Sequence, residues 1–293
     1  MKILVLVLFT VIALANNSYT QEKTGRERDG LIGAVHKIRL EPSEAGEKMW
    51  SDTIYDEKGN KVSREDFDEH GQLGKLTFVH DASGKLLEST SIIGSQHYKT
   101  EYSYDYRGNL IAKTNYDGGG SPSLSVYKYD ATGHYTETLF YDTKGSPVAR
   151  ISSNFDADGK LTRSTSYDGD GSIKEILIHV YDKNGKEIGT HHLNAKERLL
   201  GKEAFDEKGR LVEVIGYDEA GNAGRHVTSY DRYGNVEEIL QYDGKGSLEF
   251  SRLYKYKVDS IGNWVQKSVS IKDRSGKITS IPNSTATRVI FYY

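Results

Sequence analysis

One short phrase recurs along almost the whole chain and decides what it can fold into. It runs aromatic, Asp, two variable residues, Gly, a polar residue, then usually an aliphatic one. The stretch from Phe205 to Val236 holds it three times, beginning at Phe205-Asp206, Tyr217-Asp218 and Tyr230-Asp231. Clear units run from Asp56 to Asp273, each with Gly three residues after its Asp, and most steps between them are 12 to 14 residues. Two steps of 24 each hide a degenerate unit. At Asn194-Ala195-Lys196-Glu197 the register is kept, with Asn for Asp and Glu for Gly. At Ile92-Ile93-Gly94-Ser95 a Gly-Ser pair suits a tighter type II′ turn. The phrase therefore predicts about eighteen turns, a repeat regular enough to fix the architecture.

Asp at the first position of a type I turn accepts hydrogen bonds from backbone N–H groups two and three residues on. Gly at the fourth position takes a positive φ at little cost and forms a bulge, giving a three-residue hairpin loop. In such a loop the aromatic pairs across the strands with the residue two after Gly. The expected pairs are Tyr104 with Leu110, Phe155 with Leu161, Tyr167 with Ile173, Phe205 with Leu211 and Tyr230 with Val236. Each contributes roughly 0.2–1 kcal/mol, and their repetition fixes the register.

A 12-residue step leaves about nine residues per strand, roughly 30 Å. Odd strand length places the aliphatic after one turn and the aromatic before the next on one face, as for Leu110 and Tyr116. The 13-residue steps (Asp68 to Asp81, Asp117 to Asp130, Asp218 to Asp231) break this phase, so a bulge is expected in each of those strands. The fold class is all-β, a repetitive antiparallel hairpin meander of about 19 strands. Strand twist forces so many strands to coil into an open spiral or a barrel-like sheet, and the sequence does not choose between them. The Tyr-bearing face is expected to turn inward, although parity also places Arg163, Glu213, Glu238 and Arg252 on it.

The ends depart from the phrase. Residues 1–15 combine Lys2, an apolar run from Ile3 to Leu14 and the small-x-small site Ala13-Leu14-Ala15, which reads as a signal peptide. Residues 16–30 read as a flexible leader, 31–55 as an N-terminal β cap, 56–277 as the repeat sheet and 278–293 as a C-terminal capping strand. A Trp, Trp264, takes the aliphatic position in the last full unit. The two caps are expected to cover the exposed edges of the sheet. The chain has no Cys, which removes disulfides, a lipoprotein anchor and Cys chemistry. Formal net charge is −3 over 293 residues, so nothing electrostatic favours nucleic acid or an anionic membrane. No integral span is expected once the signal is cleaved.

The units Tyr55–Asn60, Tyr104–Asn109, Tyr217–Asn222 and Tyr230–Asn235 resemble the YD repeats of the Rhs family. The resemblance covers roughly Ile54 to Lys277. It implies a spiralling sheet of hairpins, which in large Rhs, Tc-toxin and teneurin proteins forms a shell that encloses a toxin or presents a surface. This chain is short for a full shell and lacks the Asp-Pro-rich core motif and a following toxin domain, so toxin encapsulation is not expected. It looks more like small exported YD-repeat proteins, some of which also end in a Gly-Asn-Trp unit and a terminal aromatic strand. That likeness brings no activity.

Several stretches resemble functional motifs. The repeated aspartates sit at a fixed offset from Gly and read as turn caps rather than acid–base pairs. Asp168-Gly169-Asp170-Gly171-Ser172 lacks the Gly and Glu that a calcium loop needs, with Ile173 and His179 in those places. Gly118-Gly119-Gly120 has no strand-to-helix context for a phosphate cradle. His191 and His192 are adjacent on one strand and point to opposite faces, so they do not share a metal. No catalytic, cofactor-binding or metal-ligating residue is assigned, and no cofactor is implied. The reading is an exported, non-catalytic β scaffold, periplasmic, at the cell surface or extracellular, that binds a glycan or an envelope protein. The alternatives are an outer-membrane barrel ending on Val289–Tyr293, and an enzyme whose site would need His191, His192 and His226 to converge.

Overall fold

The computed structural model describes residues 23–41, 48–118, 122–221, 223–281 and 284–293. The signal-peptide stretch, most of the Gly118–Gly120 run and Pro282 lie outside the described residues. The strands run β1 (Val35–Glu41), β2 (Trp50–Tyr55), β3 (Lys61–Asp68), β4 (Gly71–His80), β5 (Leu86–Ile93), β6 (Gln96–Tyr104) and β7 (Leu110–Asp117). They continue as β8 (Ser123–Tyr129), β9 (Tyr135–Tyr141), β10 (Pro147–Phe155), β11 (Leu161–Asp168), β12 (Ile173–Tyr181), β13 (Glu187–Leu193) and β14 (Leu199–Phe205). The last are β15 (Leu211–Tyr217), β16 (Ala223–Tyr230), β17 (Val236–Tyr242), β18 (Leu248–Val258), β19 (Trp264–Asp273), β20 (Ile278–Ser280) and β21 (Ala286–Tyr292). One short helix, α1 (Gly25–Arg28), precedes them.

Every strand from β1 to β19 pairs antiparallel with its neighbour in sequence. Strand β21 then pairs with β19 through Gln266–Thr287 and Lys267–Ala286, and with β1 from Val35–Tyr292 to Glu41–Thr287. The sheet therefore closes: among the described residues twenty strands form a ring, and β20 lies outside it, paired to β19 at Ser270–Ser280. The two expected caps do not cover separate edges; they pair with each other and abolish both edges. A ring of this size encloses an aqueous space rather than a packed core. The burial agrees, since Leu31, Val35, Tyr55, Ile151, Leu161 and Ile176 are the buried hydrophobic side chains among the described residues.

The turns form as their residues require. In the Asp105 turn the Gly108 N–H donates to the Asp105 carbonyl at 2.9 Å, and Gly108 has φ +88°. The Asp105 carboxylate accepts from the N–H groups of Arg107 and Asn109, two and four residues on. The partners are thus not the two-and-three pattern, because Asn109 has already entered the ladder. All five expected aromatic–aliphatic pairs are present. Gly94 makes the tight turn, with φ +58° and Ile93 opposite Gln96. The Asn194 turn also forms, with Glu197 at φ +57°.

The phase of the strands differs from expectation. A register shift follows most turns: Tyr104 faces Leu110, but Ser103 faces Ala112, so Ile111 is an extra residue. This puts Leu110 and Tyr116 on opposite faces. Among the 13-residue steps, the Asp68 turn carries such a shift, whereas the Tyr217–Ala223 hairpin has none. Tyrosines at one end of the barrel (Tyr55, Tyr104, Tyr129, Tyr181, Tyr230) consequently share a first face. Those at the other end (Tyr116, Tyr141, Tyr167, Tyr242) share the second. There is no single Tyr-bearing face.

Candidate functional site at the interlocked rim

Alternate turns lie at opposite ends of a meander, and the two rims differ chemically. At the first rim the residue after Gly is Asn60, Lys85, Asn109, His134, Lys160, Lys186, Arg210, Asn235 or Asn263. At the second it is often Ser, as in Ser146, Ser172 and Ser247. At several first-rim turns this polar side chain lies over the glycine of the next turn, whereas Gly133 and Gly209 have open space. A β-carbon on Gly159 would lie 2.8 Å from His134, one on Gly185 2.6 Å from Lys160, and one on Gly84 3.3 Å from Asn60. Gly145, Gly171, Gly221 and Gly246 of the second rim have open space instead.

Tyrosines lock the same rim. The hydroxyls of Tyr104, Tyr129, Tyr181 and Tyr230 donate to the carbonyls of Leu86, Leu110, Leu161 and Leu211, each in the preceding first-rim hairpin. The distances run from 2.8 to 3.0 Å. Lys85 lies over the ring of Tyr104, Lys160 over Tyr181 and Arg210 over Tyr230. Tyr104, Tyr181 and Tyr230 are thereby each held by a cation on the aromatic face and a hydroxyl bond, and Tyr129 by the hydroxyl bond alone.

The seam completes this rim. Residues 24–30 fell within the expected leader, yet Thr24 caps α1 with a capping box, and Arg26 Nη2 donates to the Glu57 carbonyl at 2.8 Å. Tyr55 donates its hydroxyl to Asp29, and Lys61 pairs with Asp29 at 2.9 Å. Asn263 is 1% exposed; it accepts from Ile32 N–H and donates to the Ile32 carbonyl, both at 2.8 Å. Its amide also donates to Tyr292, whose hydroxyl donates to Asp259 at 2.5 Å. Arg288 stacks 3.9 Å from the Trp264 ring and donates to the Trp264 carbonyl. Burial pushes the Arg288 guanidinium down to about 10. The Gly-Asn-Trp unit and the terminal aromatic strand are the closure device.

A second polar group lies mid-barrel on the first face. His192 is buried between Glu175, 3.0 Å from Nδ1, and Glu203, 3.7 Å from Nε2. Burial opposes its charge, but the two carboxylates outweigh it and push His192 up to about 9. Thr190 Oγ1 donates to Glu203 at 2.9 Å, and the His192 contact holds Glu203 below the usual carboxylate range. His191 projects from the opposite face, and His226 stands on β16, three strands on. The three histidines are not brought together. Among the described residues no group of three or more His, Asp or Glu side chains is arranged to hold a metal ion. The Asp168–Ser172 stretch is a turn: Asp168 N–H donates to the Ser172 carbonyl at 2.9 Å, and Asp170 accepts from Ser172.

These features define a closed, single-layered shell of YD hairpins. The Teneurin YD-shell family model matches residues 17–189, more than half of the chain, and the chain belongs to that family. No curated protein matches it. Among solved structures it is similar to the TcdB2-TccC3-TEV crystal structure at 12% identity, with a TM-score of 0.35 over 82% of this chain and 15% of that one. It is also similar to a porin-like protein from Bacteroides uniformis at 11% identity, with a TM-score of 0.36 over 88% of this chain and 96% of that one. The chain thus spans about 15% of the length of the TcdB2-TccC3-TEV chain.

Proposed function

We propose that this YD shell is an exported, non-catalytic scaffold of the cell envelope that binds a glycan or a protein. The observation that supports the reading best is how charge is distributed over a closed, single-layered ring. On β3 and β4, Glu65 pairs with Lys75 at 2.7 Å on the second face, and Arg64 pairs with Asp66 at 2.8 Å on the first. The Glu175–His192–Glu203 row adds further charge to the first face. A lipid-facing barrel needs an apolar band on one face, and neither face of β3 offers it. The polar groups at the rim and in the His192 row hold one another, which suits a rigid frame that presents its surface.

Cell fractionation followed by carbonate and urea washes tests this. The scaffold reading expects the protein outside the cytosol and released by the washes. Retention in the washed outer membrane would favour an inserted barrel, and a cytosolic protein would end the export reading. Capture of envelope components on the tagged chain identifies the partner.

A further inference from the structure

The spacing of the first-rim turns changes at one place. From Asp56 to Asp231, neighbouring first-rim aspartates are 24–26 residues apart, but 28 residues separate Asp231 from Asp259. Most of the extra length enters β18. In β6, β8, β12 and β16 the strand runs three residues beyond its last pair with the preceding strand. In β18 the last such pair is Glu238–Leu253, and the strand continues for five more, from Tyr254 to Val258. The overhang pairs on its other side with β19, up to Val258–Trp264. Val258 also stands where every other first-rim hairpin has Tyr, Phe or His, so no aromatic ring fills this position beside the Asp231 turn. The result is a notch of about 430 Å³ between the Asp231–Asn235 turn and the projecting edge of β18.

Asp231, Arg232, Tyr233 and Glu237 line one wall of the notch, with Arg232 stacked on the Tyr233 ring, and Tyr254, Lys255, Tyr256 and Val258 line the other. Glu237, Tyr254 and Tyr256 share the first face. The carboxylate of Glu237, the ammonium of Lys255 and the hydroxyls of Tyr254 and Tyr256 make no hydrogen bond or ion pair among the described residues. This contrasts with the other first-rim tyrosines, whose hydroxyls are bonded. The rings of Tyr254 and Tyr256 beside unspent donors and acceptors, with two anions (Asp231, Glu237) balanced by two cations (Arg232, Lys255), suit a neutral polyhydroxylated ligand. Ring faces cover the C–H face of a sugar, and the polar groups meet its hydroxyls. A phosphate would find the Glu237 carboxylate in its way.

We propose that this notch is a saccharide-binding site taking one or two sugar residues of a neutral glycan. It rests on the reading of the chain as a binding scaffold and names the ligand class and the place. Trp264 lies 6.3 Å from Tyr256, ring centre to ring centre, so intrinsic fluorescence reports occupancy.

The test titrates the full chain with maltotetraose, cellotetraose and chitotetraose, by fluorescence and calorimetry. At least one is expected to bind saturably with a Kd of about 0.1–1 mM, a range set by few contacts and little buried area. The Tyr254→Ala/Tyr256→Ala double variant is expected to weaken binding about tenfold or more, as for central aromatic anchors. Tyr106→Ala, which alters a side chain 91% exposed on another turn, is expected to leave it unchanged. Should the double variant fail to fold, Glu237→Gln and Lys255→Ala change only side chains at the notch and are each expected to weaken binding severalfold. No saturable binding up to about 10 mM, a concentration that would reveal even millimolar affinity, overturns the proposal. So does binding that none of the notch variants alters. An envelope partner still captured by the notch variants would leave the scaffold reading standing while this inference fell.

Discussion

Glu197 is the one non-glycine residue among the described residues with a positive φ, +57°. A side chain in that region is strained, and a glycine is not. Its carboxylate reaches Arg163 at 2.9 Å, but both groups are substantially exposed, so the pair contributes little. Glu197→Gly is therefore expected to raise stability by up to about 1 kcal/mol, read as a higher midpoint in chemical denaturation. A lower midpoint would mean that the ion pair outweighs the strain. His192 carries the other residue-scale prediction. Its folded pKa of about 9 lies above its ordinary value, so its contribution is complete below about pH 6.5 and is lost as pH rises through 9. The stability difference between the parent and His192→Gln should shrink over that window by up to about 3 kcal/mol. A difference that stays flat from pH 6 to 10, a span bracketing both pKa values, would contradict a charged His192 held by Glu175 and Glu203.

At the scale of the hairpin, local chemistry decides. Gly209 has φ +73° with open space around its missing side chain, so a substitution there meets conformational strain and no collision. Gly209→Val is expected to destabilise by more than about 1 kcal/mol, because a β-branched residue resists positive φ. An unchanged denaturation midpoint would count against the turn geometry. The same locality explains what could be read in advance. Asp, Gly and the flanking aromatic and aliphatic lie within seven residues, so the turns and the Tyr104–Leu110 type of pair were legible. The extra residue after the turn, Ile111, was not, because the phrase leaves that position free, and with it went the facing of the tyrosines. The difference between the rims was written in the residue after Gly, but at a period of two hairpins rather than one. The notch was visible as the 28-residue spacing and the Val258 substitution once that longer period is applied.

At the scale of the whole molecule, closure joins residues more than 250 positions apart in sequence, as at Val35 and Tyr292. No local pattern encodes such a pairing, which is why spiral and barrel remained equal readings of the repeat. What encodes it is irregular: Asn263 buried against Ile32, Arg288 on Trp264, and Tyr293 donating to the Tyr55 carbonyl at 2.6 Å. These residues convert a meander with two aggregation-prone edges into a ring without any.

Ring closure is the central claim, and the absence of Cys in the natural chain makes it directly measurable. Arg39 and Val289 are opposite one another on β1 and β21, at the separation that a disulfide spans across paired strands. In the Arg39→Cys/Val289→Cys variant, a closed ring predicts rapid oxidation to an intramolecular disulfide. It would be seen as a faster-migrating monomer without reducing agent and as the loss of both free thiols. Thiols that stay free in the folded monomer, or that link only between molecules, would contradict closure and return the sheet to an open spiral.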